Sequence, residues 1–327
     1  MECDNFMERI TNMGCDKMQP KFVFRKNFEV KVPTRAEWTE GLQAPNSDEN
    51  DIIWYTDGST IVSGTGAGIY ANDFSCSISM GNYVTIFQAE TYAIIACVHE
   101  NIVRQTQGKN IYMLRDSQAA LKALMALRVD SRLVYNGVQA LNKLGRQNRG
   151  QLVWIPGHEG FIGNENADEL ARAGSVSDHI GPEPFVGLSQ GIIITAIKDH
   201  TKTRHQKEWD SLTGLKHSKL FIQGVDSGWS KKLWKLSRRQ LQIIIGVFTG
   251  HYGVKGVLAR MGHSDNTDCR MCGEEEETVT HLMCECHALA RQRMKDFGAG
   301  YLEPKEFKRL PIRSIIRHME MVKKALE

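Results

Sequence analysis

The spacing of hydrophobic residues changes repeatedly between residues 51 and 176. Residues 52–57 form an apolar, β-branched run that ends in an acid followed by glycine, a composition typical of a strand. The glycine-rich residues 64–68 predict a turn. Residues 67–70 and 74–80 predict a second and a third strand, the latter because apolar and polar positions alternate there. Three strands joined by short turns indicate an antiparallel meander.

Beyond residue 87 the hydrophobic period becomes helical. Apolar residues recur three and four positions apart, which predicts a helix over residues 88–104 with Glu90 in its first turn. Ser117 is a plausible N-cap for the next helix, and Gly174 is a plausible C-cap for the last one. The further predicted elements are strands at residues 110–114 and 151–155 and helices at residues 118–127, 132–146 and 164–173.

This order of elements predicts an α/β domain over residues 51–176, a five-stranded mixed sheet flanked by helices. Residues 1–50 show little periodicity beyond a short predicted strand within residues 21–32, and we interpret them as a partly disordered lead-in. Residues 177–191 are rich in Gly and Pro, which indicates a linker. The remainder is predicted to be mostly helical, with a basic region at residues 192–262, a Cys/His module at 263–290 and a helical tail at 291–327.

The composition, 41% hydrophobic and 24% charged residues, is that of a globular protein. No stretch approaches the roughly 18 apolar residues of a membrane helix, and the N-terminus lacks the basic-then-apolar pattern of a secretion signal. We therefore expect an intracellular protein, in the nucleus, the cytoplasm or both, with no membrane partner.

Charge is distributed unevenly along the chain. Residues 1–180 carry 17 Lys and Arg against 21 Asp and Glu, a net charge of −4, whereas residues 181–327 carry 24 against 17, a net charge of +7. Basic residues bind phosphates by displacing counterions, so an acidic half joined to a basic half favours a nucleic-acid enzyme over ordinary charge scatter. Trp209, Trp229 and Trp234 are interleaved with the basic residues. Such tryptophans stack on bases or, more commonly at helical spacing, form core.

Four acids are predicted to converge at one end of the sheet. Asp57 follows the first strand and Asp116 the fourth, and these strands become neighbours if the connection between them is right-handed. Glu90 enters from the crossover helix, and Asp168 lies one turn into the last helix. Each acid alone is a common surface feature. Together they would repel one another unless a cation such as Mg²⁺, which prefers oxygen ligands, neutralised them.

Five sequence blocks in this region resemble ribonuclease H of type 1, in its cellular and retroelement forms. The blocks are Tyr55-Thr56-Asp57-Gly58-Ser59, Gln88-Ala89-Glu90, Arg115-Asp116-Ser117, residues 154–158 and residues 163–171. The resemblance implies that Asp57, Glu90, Asp116 and Asp168 are catalytic and hold two Mg²⁺ or Mn²⁺ ions. It also implies that the RNA strand of an RNA–DNA hybrid is cut.

The same resemblance implies roles for neighbouring residues. His158 would assist proton transfer or product release, and Gly58, Ser59 and Gln88 would contact substrate. Two positions depart from the family pattern. Phe87 stands where many relatives have a glutamine that recognises the 2′-hydroxyl, and Arg115 stands where a small residue is common.

Four of the eight cysteines lie within residues 269–286. The spacing Cys269-x2-Cys272-x8-His281 is typical of a zinc site, and a closed set of four thiolate and imidazole ligands is structural. Cys284 and Cys286 both remain candidates for the fourth ligand, and free or disulfide-bonded cysteines are the alternatives. The acidic residues 274–277 are interpreted as a solvated hairpin tip.

A second resemblance covers this C-terminal region. Thr249-Gly250-His251, Arg260-Met261-Gly262 and residues 269–281, together with residues 33–38, resemble jockey-like non-LTR retrotransposon polyproteins of arthropods. The resemblance implies Cys286 as the fourth Zn²⁺ ligand. It also implies the reverse transcriptase of a parent element as a partner, beside the RNA–DNA hybrid that the first resemblance implies. The alternatives are an inactive nucleic-acid-binding remnant and a nuclease of the same fold that acts on DNA.

Overall fold

The structure, a computed structural model, describes residues 11–42, 45, 50–157, 159–177 and 186–326. The chain divides into two compact units, residues 1–198 and residues 199–327. Within the described ranges, no helix is both long and apolar enough to cross a membrane. The boundaries that we assign to individual domains from sequence remain predictions.

The first unit contains a mixed sheet covered by helices. Its strands are β1 (Lys17–Phe22), β2 (Phe28–Lys31), β3 (Asp51–Ile61), β4 (Gly64–Ala71), β5 (Phe74–Gly81), β6 (Asn110–Arg115), β7 (Arg128–Ser131) and β8 (Arg149–Trp154). Its helices are α1 (Arg35–Thr39), α2 (Ile86–Val103), α3 (Gln118–Met125), α4 (Arg132–Leu144) and α5 (Ile162–Val176). Six strands form the main sheet in the order β2-β8-β6-β3-β4-β5, and β1 pairs separately with β7. The α/β class and the mixed sheet flanked by helices are thus confirmed.

The sixth strand is β2, which lies in the stretch that we interpreted as a lead-in. It pairs in parallel with β8, from Phe28 opposite Gly150 to Lys31 opposite Val153. A short strand is predicted within residues 21–32, and β2 lies inside that range, but the predicted sheet of five strands does not include it, because four residues of an edge strand do not indicate which strand they pair with. Part of residues 1–50 is therefore ordered sheet.

The glycine-rich stretch at residues 64–68 is not a turn but the start of β4. A Cβ atom at Gly66 or Gly68 would overlap the carbonyl oxygens of Ala171 and Ala167, so these glycines allow α5 to pack directly on the strand. Gly174 serves the same purpose, because a Cβ there would lie 2.6 Å from the carbonyl oxygen of Ile78. It is therefore inside α5, which ends at Val176, and is not the predicted C-cap.

The predicted elements around the acids are otherwise close to the observed ones. Strand β3 continues past Asp57 to Ile61, because its last residues pair with β4 in a hairpin. Helix α2 begins at Ile86 with Thr85 as its N-cap, so Glu90 lies in the second turn and not the first. Fully buried apolar side chains form the core that holds these elements. They include Trp54, Ala67, Ala89, Ala93, Ile94, Val98, Ile111, Leu121, Val138 and Leu152.

The second unit is mostly helical, as predicted. Its helices are α6 (Gln190–Ser211, which spans the unit boundary), α7 (Lys216–Phe221), α8 (Ser227–Leu233), α9 (Arg238–Thr249), α10 (Lys255–Arg260), α11 (Ala290–Phe297) and α12 (Ile312–Leu326). Short 3₁₀ helices occur at His287–Leu289 and Pro304–Arg309. A separate apolar core joins α7, α9 and α12 through Phe221, Val247 and Ile315. Cys269, Cys284 and Cys286 belong to this core, so the Cys/His module is packed into the unit.

Candidate active site and Cys/His centre

Asp57 and Asp116 lie at the same end of two neighbouring strands. Strand β6 pairs in parallel with β3 over Asp51 to Tyr55, and Asp57 follows two residues later. Asp116 directly follows the last residue of β6. Since neighbouring strands are about 4.8 Å apart, this register brings both acids to one edge of the sheet. The predicted pairing of the first and fourth strands is confirmed.

Gly58 allows α2 to approach β3 closely at Glu90. A Cβ atom at Gly58 would lie 2.8 Å from the backbone nitrogen of Glu90 and 2.9 Å from its Cγ. Any larger residue would therefore push α2 away from β3. The structure thus gives Gly58 a packing role, while the contact with substrate that the sequence suggested for it stays a prediction.

A buried arginine holds the carboxylate of Glu90. Arg115 is fully buried, and its Nη2 lies 3.2 Å from Glu90 Oε2. Its Nη1 donates to the Glu90 carbonyl at 3.0 Å, and its Nε donates to the Ser117 carbonyl at 3.0 Å. Ser117 occupies the predicted N-cap position of α3, but its hydroxyl donates to Glu90 Oε2 at 3.0 Å and makes no cap bond. Arg115, which stands where a small residue is common in the resembled family, therefore fixes the position of Glu90.

Asp116 is positioned by residues from the C-terminal part of the first unit. Asn164, at the start of α5, donates from Nδ2 to Asp116 Oδ2 at 3.3 Å. Trp154, the last residue of β8, donates from its indole nitrogen to the Asp116 carbonyl at 2.8 Å. A Cβ atom at Gly157 would lie 2.9 Å from Asp116 Oδ2, so the loop after β8 also approaches closely because it carries glycine.

Asp168 reaches the site from α5. The helix packs against β3 at Gly163, where a Cβ atom would overlap the Tyr55 ring. Asp168 lies two turns into this helix and not one, because the helix begins earlier than predicted, at Ile162. Its Oδ2 accepts an ion pair from Arg172 Nη2 at 2.6 Å, one helical turn away. Arg172 is two-thirds exposed, so this partner is easily displaced.

Burial and neighbouring acids together raise the pKa of Asp57 and of Glu90. The pKa of Asp57 is raised to about 7, mainly by burial and further by the negative charges of Asp116 and Asp168, while the Gly58 N–H and Arg115 act in the opposite direction. Burial also raises the pKa of Glu90, with Asp116 adding to the effect and Arg115 and Ser117 opposing it. The site therefore holds more negative charge than its own residues neutralise.

Three further residues are predicted from sequence to contact substrate or assist the reaction. Gln88 is 1% exposed, and its Oε1 accepts from the N–H and hydroxyl of Thr85 while its Nε2 donates to the Gly187 carbonyl. The structure thus gives Gln88 partners within the protein, and its contact with substrate stays a prediction. Ser59 is half-buried in β3, and its contact with substrate stays a prediction. His158 lies outside the described residues, so its role is likewise a prediction.

The acid site offers only oxygen donors to a cation. Hard divalent ions such as Mg²⁺ bind through carboxylates and retain several waters, so an excess of half-buried carboxylates suits them. The four acids are not among the groups of three or more ligand atoms within 4.8 Å that occur in the described ranges. The donor atoms are therefore of the type that such a cation binds, but they are not gathered closely. Arg115, Asn164 and Arg172 hold three of the four carboxylates in place.

Cys269, Cys272, His281 and Cys286 do form such a group, with one ligand atom from each lying within 4.8 Å of all the others. Cys272 Sγ is 3.3 Å from His281 Nε2, and Cys269 Sγ is 4.0 Å from Cys286 Sγ. Backbone N–H groups of Glu274 and Glu275 lower the pKa of Cys272 to about 6, which favours the thiolate that binds metal. This donor set fits tetrahedral Zn²⁺.

Cys286, and not Cys284, joins this group because of the local backbone. In an α-helix, Cys284 at i+3 would share the face of His281. Residues His281–Glu285 instead form a π-helix, in which the Cys286 N–H donates to the His281 carbonyl at 2.7 Å. Cys284 is 1% exposed in the apolar core, where burial raises the pKa of its thiol to about 12. Burial raises the pKa of the Cys286 thiol to about 12 as well, so the two cysteines differ in position and not in acidity. Cys286, and not Cys284, belongs to the group whose ligand atoms all lie within 4.8 Å of one another.

The acidic run at residues 274–277 is only partly the solvated hairpin tip that we predicted. Glu277 is fully buried, and its carboxylate accepts bonds from the backbone N–H groups of Lys255 and Arg270 and from the Arg270 guanidinium. Glu275 lies on the exposed side, with its Oε2 2.9 Å from His281 Nδ1 at an angle too poor for a hydrogen bond. Glu277 therefore braces the loop that carries Cys269 and Cys272.

Comparisons with known proteins agree with this division of the chain. Residues 49–176 match the family model described as RNase H, and residues 215–292 match the one described as zinc-binding in reverse transcriptase. A retrovirus-related Pol polyprotein from the type-1 retrotransposable element R1 of Popillia japonica is 22% identical over 210 residues, which cover 64% of this chain and 79% of that protein. The first match contains all four acids, and the second contains all four Cys/His ligand candidates.

Proposed function

We propose that the chain, which is similar to RNase H over residues 49–176 and to the zinc-binding region of reverse transcriptases over residues 215–292, is a metal-dependent endonuclease that hydrolyses the RNA strand of RNA–DNA hybrids. The observation that carries the proposal is the convergence of Asp57, Glu90, Asp116 and Asp168 at one end of the sheet, where the charges of Asp116 and Asp168 help to raise the pKa of Asp57 and the charge of Asp116 helps to raise that of Glu90. Nucleases that use divalent cations need such an excess of carboxylate.

The four acids would hold two Mg²⁺ or Mn²⁺ ions, which supply activation of the attacking water and stabilisation of the leaving oxygen. The protein's own contribution is positioning. Arg115 and Ser117 fix the Glu90 carboxylate, and Asn164 orients Asp116. A fixed set of carboxylates needs little reorganisation during reaction, which is how enzymes stabilise charge that develops in a transition state.

Asp57 would act in its ionised form. Its pKa of about 7 means that a large fraction of the carboxyl is protonated near neutral pH before a cation binds. Binding of a cation favours the carboxylate and therefore releases a proton. We propose that metal uptake at this site becomes weaker as the pH falls below about 7, because protons compete for Asp57.

We further propose that Zn²⁺ bound to Cys269, Cys272, His281 and Cys286 has a structural role in the second unit. Four protein ligands close the coordination sphere, and closed sites stabilise a fold without leaving a position for substrate. The reverse transcriptase of a parent element remains a proposed partner, and an intracellular location remains part of the same proposal.

The test is cleavage of labelled RNA–DNA hybrid, duplex RNA and duplex DNA in the presence of Mg²⁺, of Mn²⁺ or of no divalent ion. We expect cutting of the RNA strand of the hybrid alone, and only with added metal. Asp116→Asn should abolish it, whereas Asp130→Asn, which changes an exposed acid of β7, should not. Absence of metal-dependent hybrid cleavage would favour the inactive remnant, and cleavage of duplex DNA would favour the DNA nuclease.

A further inference from the structure

The turn between α8 and α9 carries an exposed tryptophan among cations. Trp234 is 85% exposed, although large aromatic side chains are usually buried. Five cations accompany it within residues 231–239, which we call the basic corner. They are Lys231, Lys232, Lys235, Arg238 and Arg239, and all five are exposed.

The exposure of Trp234 follows from how its neighbours pack. Trp229, Leu233 and Leu236 form the apolar stripe that contacts the core of the second unit. The Trp229 ring packs edge-on against Phe248 at 4.6 Å between centroids. Trp234 directly follows Leu233 in the turn, off this stripe, so it projects away from the core. The interpretation of tryptophan as core therefore applies to Trp229 and not to Trp234.

The positive charge of the basic corner is largely uncompensated. Within residues 186–326, no ion pair shorter than 4.0 Å involves Lys231, Lys232, Lys235 or Arg238. Arg239 approaches Glu320 only at 3.9 Å, between two exposed side chains. Residues 227–242 contain no acid at all, so this surface attracts anions.

We propose that the basic corner binds single-stranded nucleic acid, with Trp234 stacked on a base and the flanking lysines and arginines on the phosphates. An exposed aromatic ring needs an unpaired base face, which a duplex offers only at its ends, so the partner is single-stranded. Stacking and phosphate contacts tolerate any sequence. The proposal concerns residues 231–239 alone and does not depend on cleavage by the first unit.

The test uses the full chain and measures the fluorescence anisotropy of labelled single-stranded RNA and DNA, without added Mg²⁺. Trp234→Ala should weaken binding about 5- to 150-fold, the range expected for loss of one base–aromatic stack. Trp234→Phe keeps an aromatic ring and should retain most of the affinity. Trp234→Leu keeps a hydrophobic side chain without the ring and should behave like Trp234→Ala.

The cations are tested through the salt dependence of binding. For single strands, each lost phosphate contact reduces the slope of log K against log salt by about 0.7, so Lys231→Gln with Lys232→Gln should reduce it by about 1.4. The matched control is Arg313→Gln with Lys324→Gln, which removes the same charge from exposed positions of α12 and should leave the slope unchanged.

Thermal unfolding of each variant establishes that the second unit is still folded. Unchanged affinity in folded Trp234→Ala would overturn the proposal, as would equal affinities of the Leu and Phe variants. Equally tight, Trp234-dependent binding to a blunt duplex would overturn the preference for single strands. If the chain binds single strands through Trp234 but cuts no hybrid, this inference stands and the proposed nuclease function fails.

Discussion

The two units of this protein hold their candidate metal ligands in opposite ways. In the second unit, Cys269, Cys272, His281 and Cys286 place their ligand atoms within 4.8 Å of one another. In the first unit, four carboxylates converge without forming such a close group. Arg115, Arg172 and the Asn164 amide hold three of them in place. A closed set of four ligands suits a permanent structural ion, whereas an open set leaves space for water and substrate.

The difference reflects the cost of each arrangement to the folded chain. Protonated thiols and an imidazole that carries one proton are neutral, so they can be gathered without metal. Ionised carboxylates repel one another, and burial makes this worse. Arg115 offsets part of that cost by pairing with Glu90, yet the pKa of Asp57 still rises to about 7. The acid site therefore destabilises the fold that carries it, while the Cys/His centre is expected to stabilise its own.

The largest expected effect is loss of the Cys/His centre. Structural Zn²⁺ contributes about 10–16 kcal/mol of apparent binding free energy in small zinc-dependent folds, so Cys269→Ser should remove the cooperative unfolding transition of the second unit. Zinc analysis should find stoichiometric metal in the wild type and little in the variant.

Cys284→Ser is the matched control for that substitution. It places a hydroxyl in an apolar core, which costs about 1–3 kcal/mol, but should keep the zinc. If Cys284→Ser lost the metal and Cys286→Ser retained it, the ligand set inferred from the π-helix would be wrong.

The next effect separates two kinds of catalytic residue. Asp116→Asn should reduce hybrid cleavage to background, because it removes a carboxylate that we propose to be a shared metal ligand. Cleavage by the His158→Ala variant should remain measurable, because loss of a proton-transfer group typically lowers the rate by about 10²–10⁴-fold. Single-turnover cleavage rates check this, and equal residual rates in the two variants would contradict the division of roles.

Arg115 provides a test of how the open site is held together. Arg115→Met leaves the buried Glu90 carboxylate unpaired, so it should lower the unfolding free energy of the first unit by about 3–5 kcal/mol at pH 8. Glu90→Gln added to Arg115→Met should restore much of the loss. Denaturant unfolding of the four members of this cycle measures the coupling, and additive losses would mean that Arg115 does not support Glu90.

The smallest effect has the opposite sign. The pKa of Asp57 is higher in the folded state, at about 7, than its ordinary value of 3.8. The folded state therefore binds more protons between these values, and this group's contribution to stability falls as the pH rises through that window. Asp57→Asn should stabilise the Mg²⁺-free protein by about 1–3 kcal/mol at pH 8 and by little at pH 4. A variant that is less stable at pH 8 would contradict this.

The sequence predicts the acid site well because its determinants are local. Asp57 and Asp116 follow apolar runs that are typical of strands, and a right-handed connection between them makes those strands neighbours. Gly66 and Gly68 led to the wrong prediction of a turn, because only tertiary packing shows that they allow α5 to pack on β4. Arg115 stands out in sequence, but its burial beneath Glu90 depends on the folded arrangement of β6 and α2.

The Cys/His centre shows the same limit. The spacing of Cys269, Cys272 and His281 is local and sufficient to predict a metal site. The choice between Cys284 and Cys286 is not, because it depends on a π-helix that no hydrophobic pattern indicates. Glu277 likewise looks like one more solvated acid in sequence, and only the position of Arg270 explains its complete burial.

The central claim is that the open acid site carries out cleavage and the closed Cys/His site does not. The most direct measurement is hybrid cleavage after the protein has been exhaustively dialysed against Mg²⁺-free buffer, with its zinc content determined on the same sample. We predict that cleavage is lost while zinc is retained, and that added Mg²⁺ restores cleavage without changing the zinc content. Cleavage that persists without Mg²⁺ and falls in proportion to zinc would contradict the claim.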